Sequence, residues 1–328
     1  MKGKKLEYSV EITKNGPPEV MSIIKSPIQS PSEGEVLVRH KAIGVNFIDI
    51  YYRNGIYPLA SLPGKIGHEA SGVVEAVGQG VKGFKEGDRV AYVSPTPGSY
   101  CTSRNVPAEI LLKIPKQINF EIAASMLLKG MTVHYLFRRT SNLQKFHTVL
   151  FHAAAGGTGL IAMQWAKLLG AKIIGTVSSE EKVKLAKKYG ADFVINYARE
   201  DFVEKTLEIS SGKGVDVVFD SIGQKTFYQS LRCLKKYGLM VAFGNASGKL
   251  PSFDLGLLNG HLFITRPTLW QYTADADELT ITAQELMSLI IDKKIQIPVF
   301  QKYPLNEVVK VHQLLEERKT IGSTVLIP

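Results

Sequence analysis

The pattern of hydrophobic and polar positions changes near residue 120. Before that point, apolar residues alternate with polar ones or form short runs, as in EVLVRHKAIGVN and EASGVVEAVG. Glycine-containing turns separate these runs at 33–34, 78–80 and 86–88. Alternation of this kind is typical of strands with one buried face. The first part of the chain therefore predicts an irregular antiparallel barrel or sandwich.

From about residue 125, apolar strands alternate with amphipathic helices. The strands are TVLFHAA (148–154), KIIGTV, DFVIN, VDVVFDSIG and GLMVAFG. Between the first two lies GLIAMQWAKLL (159–169), a predicted helix with Ile161, Trp165 and Leu168 on one face. EEKVKLAKKY is a second predicted helix. This order predicts an α/β domain with a doubly wound parallel sheet, covered by helices on both faces.

The same patterns predict where the domains divide. Residues 1–125 would form the first part of the β-rich domain, and residues 126–265 the nucleotide-binding domain. Residues 266–328 would return to complete the β-rich domain. This last segment contains helical patterns near 275–292 and 304–318 and a final strand, STVLIP. The nucleotide-binding domain is thus predicted to be an insertion.

Composition narrows the class of protein. A chain of 328 residues is longer than one hydrophobic core usually serves, which agrees with two domains. Two cysteines, far apart, exclude a disulfide framework and a cysteine-rich zinc lobe. The net charge of +10 is scattered, which favours a solvated surface over a nucleic-acid surface. Without an apolar signal core or a membrane span, we expect a cytoplasmic protein with no membrane partner.

HAAAGGTG lies between the first predicted strand and helix of the α/β domain. A dinucleotide fingerprint has glycines at three spaced positions in such a turn. Gly156 and Gly159 occupy the second and third positions, and Ala154 replaces the first. Gly156 and Gly157 allow the backbone to approach a pyrophosphate, which the helix N-terminus stabilises. The turn therefore favours a bound nucleotide; the alternative is a tight strand-to-helix turn without a ligand.

The end of the next strand indicates which nucleotide. An acid that binds the ribose 2′-hydroxyl of NADH is expected about 20 residues after the glycine turn. Here the sequence offers Ser178 and, shortly after it, Lys182. Hydroxyls and an ammonium group hold a 2′-phosphate, whereas a carboxylate repels it. Glu180 and Glu181 open the following helix, where acids are favoured for other reasons. The pattern predicts NADPH.

Several motifs together resemble a known family. VNFIDIYYRNGIYP, GHEASGVVEAVG, GDRVAY, LLKGMTVHYL, HAAAGGTG, QWAKLLGAKIIGTV and TVLIP are similar to the zinc-free quinone oxidoreductases. These are zeta-crystallin-like members of the medium-chain dehydrogenase/reductase superfamily. The resemblance implies a GroES-like β-rich catalytic domain, a Rossmann domain and a cleft between them. It also implies a homodimer that reduces quinones with NADPH.

The resemblance also explains why a metal is not expected. Zinc-dependent relatives bind zinc through a cysteine in the stretch that corresponds to GVNFID, the histidine of GHE and a third ligand. In this sequence the position of that cysteine holds Asn46, while His68 and Glu69 are present. One histidine and one carboxylate do not make a closed zinc site. His68 is therefore interpreted as a hydrogen-bonded remnant.

Matching motifs carry over a set of candidate cofactor contacts, each of which also has a purely structural interpretation. The set is Asn46, Thr132, Gly156, Gly157, Thr158, Gly159, Ser178, Lys182, Tyr197, Ser221, Phe243, Gly244, Asn245 and Arg318. Tyr197 is predicted to flank the 2′-phosphate, because it closes the strand that neighbours Ser178.

The acceptor side is predicted on VNFIDIYYRNGIYP. Reducing a quinone places negative charge on its oxygen, which favours a nearby hydrogen-bond donor. Asn46 and Tyr51 are the first candidates for this role, and Tyr52 and Tyr57 are candidate substrate-binding residues or simple packing residues. Quinones and α,β-unsaturated aldehydes or ketones both remain possible substrates, while the missing zinc ligand argues against alcohols. A single-stranded nucleic-acid-binding or structural, crystallin-like role is the alternative from another class.

Overall fold

The structure is a computed structural model, and it describes residues 6–328. The first five residues, which the predicted first domain includes, lie outside the described part. The chain forms two compact units. The first consists of residues up to Leu128, Thr273–Met287 and Ile297–Pro328, and the second of Lys129–Tyr272 and Ser288–Gln296. The second unit therefore interrupts the first in the sequence, and residues 266–272 and 288–296 group with it.

The first unit is rich in strands. They are β1 (Leu6–Ile12), β2 (Met21–Pro27), β3 (Glu35–Gly44), β4 (Gly64–Lys65), β5 (Glu69–Val77), β6 (Arg89–Val93), β7 (Ser103–Pro107), β8 (Leu111–Lys113), β15 (Val299–Pro304) and β16 (Ser323–Ile327). One sheet has the order β2-β1-β4, and a larger one the order β15-β16-β3-β5-β6-β8, with β7 also paired to β3. The pairs are antiparallel except β15 with β16, which is parallel. Both strands of that parallel pair lie in the return segment, whereas the pairs within the first 120 residues are antiparallel, as the sequence predicted.

The second unit contains one six-stranded sheet. Its strands are β9 (Thr148–Phe151), β10 (Lys172–Val177), β11 (Phe193–Asn196), β12 (Val215–Asp220), β13 (Leu234–Ala242) and β14 (Phe263–Thr265). Their order is β11-β10-β9-β12-β13-β14, and all pairs are parallel. The order runs in opposite directions on the two sides of β9, which is the switch point where α/β sheets bind ligands.

The helices have the following bounds: α1 (Phe47–Arg53), α2 (Phe120–His134), α3 (Gly157–Leu169), α4 (Glu180–Lys188), α5 (Phe202–Ile209), α6 (Phe227–Arg232), α7 (Leu269–Tyr272), α8 (Ala276–Ile291) and α9 (Val308–Glu316). A π-helical turn, Tyr135–Thr140, follows α2. Among the residues from 6 onward, no helix is long and apolar enough to cross a membrane.

The buried face of α3 differs from the prediction at one position. Ile161 and Trp165 are fully buried as predicted, but Leu168 is 44% exposed. The helix begins at Gly157 rather than Gly159, and its buried residues include Leu160, Ala162, Met163 and Ala166. Leu168 lies in the last turn, next to the left-handed Gly170 that ends the helix. At the end of a helix, helical spacing alone therefore does not ensure that an apolar residue is covered.

Candidate active site

The glycine turn of the second unit connects β9 to α3. Gly156 is the N-cap of α3 and has no side chain that could cap the first-turn amides. Four amides at a helix N-terminus have no partner within the helix, and they attract anions together with the helix dipole. Thr158 is half-buried in this first turn. The turn thus fits the pyrophosphate of a dinucleotide.

A glycine is required at position 159 because the backbone of α3 lies very close to the backbone of the preceding turn there. A Cβ atom at this position would lie 2.3 Å from the carbonyl oxygen of Ala153 and 2.6 Å from that of Ala154. Ala153 itself has a φ of 56°, in the left-handed region. The third glycine of the fingerprint therefore lets α3 pack directly on the turn.

Ala154, which replaces the first glycine of the fingerprint, is accommodated by a glycine on the neighbouring strand. A Cβ atom on Gly175 of β10 would lie 2.5 Å from the Cβ atom of Ala154. Ala154 is fully buried, and its amide donates to the carbonyl oxygen of Thr176 at 3.0 Å. The methyl group of Ala154, which a glycine would not have, thus fits because Gly175 on the adjacent strand has no side chain.

Replacing Gly175 with alanine should lower the free energy of unfolding by about 1–3 kcal/mol, because two methyl groups would then occupy one space. Chemical denaturation measures this loss. The second change Ala154→Gly should restore most of the stability in the Gly175→Ala background. A double variant as unstable as Gly175→Ala alone would show that this contact does not set the cost.

The carboxyl ends of β10 and β11 bring three of the predicted cofactor residues to one corner. Val177 pairs with Asn196, and the amide of Tyr197 donates to the carbonyl oxygen of Val177 at 3.0 Å. Ser178 follows β10 directly, and Lys182 is half-buried in the first turn of α4. Ser179, the N-cap of α4, accepts from the amide of Lys182 at 3.3 Å.

One of the two acids at the start of α4, Glu180, is less of an obstacle to a phosphate than the sequence suggests. Glu180 Oε1 accepts from Asn196 Nδ2 at 2.8 Å and lies 3.3 Å from Arg199 Nη1. The carboxylate is therefore held by an amide and a guanidinium. Arg199 was missed in the sequence, although it stands two residues after Tyr197, close to the end of β11. It adds a second cation at the corner that Lys182 occupies.

The loops after β12 and β13 carry the remaining nucleotide-side residues. Ser221 follows β12, and a Cβ atom on Gly244 would lie 2.4 Å from the Ser221 carbonyl oxygen. Phe243 packs on Phe151 with ring centroids 5.7 Å apart, and Asn245 is buried. The two loops therefore touch, and Gly244 is needed for the contact.

A buried polar network fixes the loop that contains Ser221. Asp220 Oδ1 accepts from the amides of Ile222 and Gly223 at 2.7 and 3.0 Å. Its Oδ2 accepts from the Ser230 hydroxyl at 2.8 Å. Ser230 Oγ in turn lies 3.0 Å from His152 Nε2 in the glycine turn. Burial lowers the pKa of His152. The network thus connects the ends of β9 and β12 on the two sides of the switch point.

The acceptor-side residues lie on or near α1 in the first unit. Asn46 is the buried N-cap of α1, and its amide donates to Asp49 Oδ2 at 2.8 Å. Its side-chain Nδ2 donates to Glu69 Oε1 at 2.9 Å. A carboxamide nitrogen has two hydrogens, so this bond uses only one of them. Asn46 can hold Glu69 and still donate to a substrate.

The tyrosines of this segment form one aromatic cluster. The Tyr57 ring meets those of Tyr51 and Tyr52 edge-on, with centroids 5.4 and 5.7 Å apart. Tyr52 also packs on His68, with centroids 4.9 Å apart. Tyr51 is buried, and the other two tyrosines are half-buried. Burial raises the pKa of Tyr52, with a smaller contribution from Tyr57. The cluster offers flat apolar walls with phenol groups among them.

Zinc does not fit the side chains at positions 46, 68 and 69. His68 Nδ1 lies 2.7 Å from Asp49 Oδ1. The two oxygens of Glu69 accept from Asn46 Nδ2 and from the Leu128 amide, each at 2.9 Å. Within residues 6–328, no three His, Cys, Asp or Glu side chains are grouped so that they could hold a metal. An amide in place of a thiolate leaves too few ligands for zinc, and no step is assigned to a metal.

Two predicted cofactor residues stand apart from these groups. Thr132 is buried near the end of α2, in the second unit. Arg318 belongs to the first unit and follows α9 in the left-handed region, with a φ of 59°. Within each unit, the structure brings together Ser178, Lys182 and Tyr197, and separately Asn46 with the tyrosine cluster. Sequence reasoning also missed Asp49, which only the fold connects to His68.

Comparison with known proteins identifies the family. The alcohol dehydrogenase GroES-like domain matches residues 32–116, and the zinc-binding dehydrogenase family matches residues 157–275. The chain is 49% identical over 323 residues to quinone oxidoreductase 1 of Escherichia coli (strain K12), covering 97% of this chain and 99% of that protein. The chain belongs to the quinone oxidoreductase family. The family and the fold class predicted from the motifs are thereby confirmed.

A solved structure and a second relative are also similar to this chain. A crystal structure of Escherichia coli quinone oxidoreductase complexed with NADPH has a TM-score of 0.96 and 48% sequence identity, covering 98% of this chain and all (100%) of that one. A 2-haloacrylate reductase of Burkholderia sp is 43% identical over 326 residues, covering 97% of this chain and 98% of that protein. The family thus includes reductases of quinones and of a halogenated acrylate.

Proposed function

We propose that this protein reduces quinones with NADPH and without a metal. The end of β10 carries the proposal, because Ser178 and Lys182 stand there and the nearest acid, Glu180, is held by Asn196 and Arg199. The relative solved with NADPH supports the same cofactor. NADPH supplies a hydride when it is bound, and the protein binds, orients and shields the reactants.

The second unit would hold NADPH. The glycine turn of residues 156–159 would hold the pyrophosphate, and Ser178, Lys182 and Tyr197 the 2′-phosphate. The remaining proposed contacts are Thr132, Ser221, Phe243, Gly244 and Asn245 in the second unit, and Asn46 and Arg318 in the first. Charge supports this division, because the second unit has 21 basic and 11 acidic residues, whereas the first has 19 of each. The entire net charge of +10 thus belongs to the unit that would bind the anionic cofactor.

The first unit would hold the quinone. Tyr51, Tyr52 and Tyr57 provide flat apolar surfaces for a planar ring. Asn46 Nδ2 and the Tyr51 hydroxyl are the proposed donors to the oxygen that gains negative charge. Such donors act by stabilising charge that develops in the transition state, and they require no reorganisation if the fold already holds them in place. The bond from Asn46 to buried Glu69 provides this rigidity.

The alternative substrates are α,β-unsaturated carbonyl compounds. The 2-haloacrylate reductase at 43% identity favours this second candidate, because its substrate is also an electron-poor conjugated system. Steady-state rates with NADPH should be measured for ortho-quinones, para-quinones, enals and 2-haloacrylate in one panel. We expect the highest kcat/KM for a quinone. A higher value for an enal or for 2-haloacrylate would replace the proposed substrate class while leaving the cofactor assignment intact.

Metal independence is tested on the same preparation. The purified protein should contain far less than one zinc per chain by elemental analysis, and dialysis against a chelator should leave its rate with quinone unchanged. The reason is the donor set, in which Asn46 stands in place of a thiolate and both oxygens of Glu69 accept protein hydrogen bonds. Stoichiometric zinc that is lost together with activity would overturn this part of the proposal.

We also propose that two copies of the chain form a homodimer. In the part of the chain that the structure describes, β14 is the last strand of the six-stranded sheet and pairs with β13 on one side, so its other edge is open for pairing. Phe263 on this strand and Leu255 and Leu257 just before it are exposed. Sedimentation should give about twice the 36.1 kDa of one chain. A mass of one chain at micromolar concentration would contradict the proposal.

The cytoplasm is the proposed location of the enzyme. Cys101 and Cys233 are both free and buried, which suits a reducing compartment. Cell fractionation tests this directly, and NADPH-dependent quinone reductase activity of this chain outside the cytoplasmic fraction would contradict it.

A further inference from the structure

Helix α1 has two buried charges on the face formed by residues 49 and 53. Asp49 and Arg53 are four residues apart, so they lie on the same side of the helix, and they are 0% and 1% exposed. Asp49 is in the first turn beside Asn46, and Arg53 is the last residue of the helix. Burial of both charges at the two ends of one short helix is costly unless each is fully hydrogen-bonded.

Tyr100 and His312 connect these two charges. The Tyr100 hydroxyl donates to Asp49 Oδ2 at 2.8 Å and lies 3.0 Å from His312 Nε2. Arg53 Nη1 lies 3.1 Å from His312 Nδ1. Tyr100 and His312 are 1% and 0% exposed. A buried path of hydrogen bonds therefore joins the beginning of α1 to its end through residues that come from distant parts of the sequence.

The directions of these hydrogen bonds follow from the chemistry of the groups. A guanidinium can only donate, so His312 Nδ1 accepts from Arg53. Burial lowers the pKa of His312 to about 3, so the imidazole is neutral and its Nε2 carries the proton that it donates to Tyr100. Tyr100 then donates to Asp49. Every hydrogen points from the cation toward the carboxylate, and each group in the path has its partner.

This path does not suit proton transfer from the surface. Its outer end is Arg53, which donates to Glu316 Oε1 at 2.5 Å and to the carbonyl oxygen of Gly16 at 3.1 Å. Arginine does not release a proton in proteins, so a proton cannot pass through it. Burial and the Asp49 charge raise the pKa of Tyr100, which keeps the phenol neutral as well. The path holds geometry rather than moving protons.

We infer that Tyr100 and His312 are positioning residues for quinone reduction, because they fix α1 at both ends and thereby fix the donors that it carries. Asp49 also accepts from the amide of Asn46, and Tyr51 lies between the two anchored residues on the same helix. A small rotation of α1 would move both proposed donors at once. The inference rests on the proposed function, in which Asn46 and Tyr51 face the acceptor.

A matched control exists in the same unit. Tyr92 is fully buried, and its hydroxyl lies 3.1 Å from Nε2 of the buried His40. His40 Nδ1 lies 2.8 Å from the carbonyl oxygen of Cys101. This tyrosine–histidine pair has the same chemistry as Tyr100 with His312, but its bonds join strands β3 and β6 and the segment before β7. Tyr92→Phe therefore removes the same kind of buried bond without releasing α1.

The first experiment compares Tyr100→Phe with Tyr92→Phe. We expect both variants to lower the melting temperature, and Tyr100→Phe to lower it more, because the Tyr100 hydroxyl also donates to the buried carboxylate of Asp49. Tyr100→Phe should lower kcat/KM for a para-quinone about fivefold or more, with the Kd for NADPH unchanged by fluorescence titration. Tyr92→Phe should stay within about twofold of the wild type in both quantities. His312→Gln, which keeps an acceptor and a donor, should retain more activity than His312→Leu.

A double-mutant cycle tests whether Tyr100 acts through the donors of α1. In an Asn46→Ala/Tyr51→Phe background, Tyr100→Phe should change kcat/KM by less than about twofold, because no donors remain to be positioned. Equal catalytic losses in Tyr100→Phe and Tyr92→Phe, or an undiminished loss in the donor-free background, would overturn the inference. Absence of quinone reduction by the wild type would instead refute the proposed function.

Discussion

Replacing Lys182 with alanine should raise the Kd for NADPH about ten- to hundredfold and leave the Kd for NADH nearly unchanged. Only NADPH carries the 2′-phosphate, and a charge-assisted hydrogen bond to it contributes about 1.5–3 kcal/mol. Lys182 is half-buried in the first turn of α4, beside Ser178 at the end of β10. Fluorescence titration with both cofactors measures the two dissociation constants.

Lys184→Ala is the matched control for this experiment. Lys184 lies on the same helix, two residues further on, and is exposed. Lys184→Ala removes one positive charge, as Lys182→Ala does, so this variant reports any general loss of electrostatic attraction for the cofactor. We expect it to weaken NADPH binding less than about twofold. If Lys182→Ala raised the Kd for NADPH and the Kd for NADH by the same factor, the assignment of Lys182 to the 2′-phosphate would be refuted.

A second change tests the same corner from the opposite direction. Ser178→Asp would place a carboxylate where NADH-binding folds have one. The carboxylate should repel the 2′-phosphate and thereby weaken the binding of NADPH. The Kd for NADPH should therefore rise relative to the Kd for NADH. A ratio unchanged from the wild type would indicate that the side chain at 178 does not face the ribose.

The sequence could predict the nucleotide-side corner because parallel strands end at one edge. Ser178 and Tyr197 come directly after two successive strands, so the pattern alone places them together, and β10 and β11 do pair. The pairing of Glu180 with Asn196 and Arg199 could not be predicted in this way. It depends on the side-chain directions of Asn196 and Arg199, which hydrophobic periodicity does not specify.

The anchoring of α1 could not be predicted from the sequence, for a different reason. Tyr100 and His312 are 212 positions apart, and only the return of the chain to the first unit brings them together. The spacing of Asp49 and Arg53 by four residues does not by itself say whether that side of a helix is buried. Their burial is what reveals the network. Leu168 shows the opposite limit, because helical spacing predicts it on the buried face of α3 and yet it is 44% exposed.

The Tyr51 hydroxyl should contribute about tenfold or more to kcat/KM for quinones. A donor directed at the developing oxyanion acts mainly on the transition state, so its removal lowers the rate while the fold and NADPH binding persist. Tyr51→Phe removes only this hydroxyl. The ring of Tyr51 meets Tyr57 edge-on at 5.4 Å, and phenylalanine preserves that contact. The expected result is therefore a lower kcat/KM in Tyr51→Phe with an unchanged melting temperature.

Tyr51→Ala separates donation from packing. It removes the ring as well as the hydroxyl, so the Tyr57 ring loses one of its two ring neighbours and the pocket wall is altered. If Tyr51→Phe behaves as wild type and only Tyr51→Ala is slow, Tyr51 is a wall of the pocket and Asn46 is the remaining donor. If neither change matters but Tyr52→Phe or Tyr57→Phe lowers kcat/KM, the acceptor contacts the other side of the cluster, nearer to His68, on which Tyr52 packs. Steady-state kinetics with one para-quinone and saturating NADPH distinguish these three outcomes, because each predicts a different variant as the slow one.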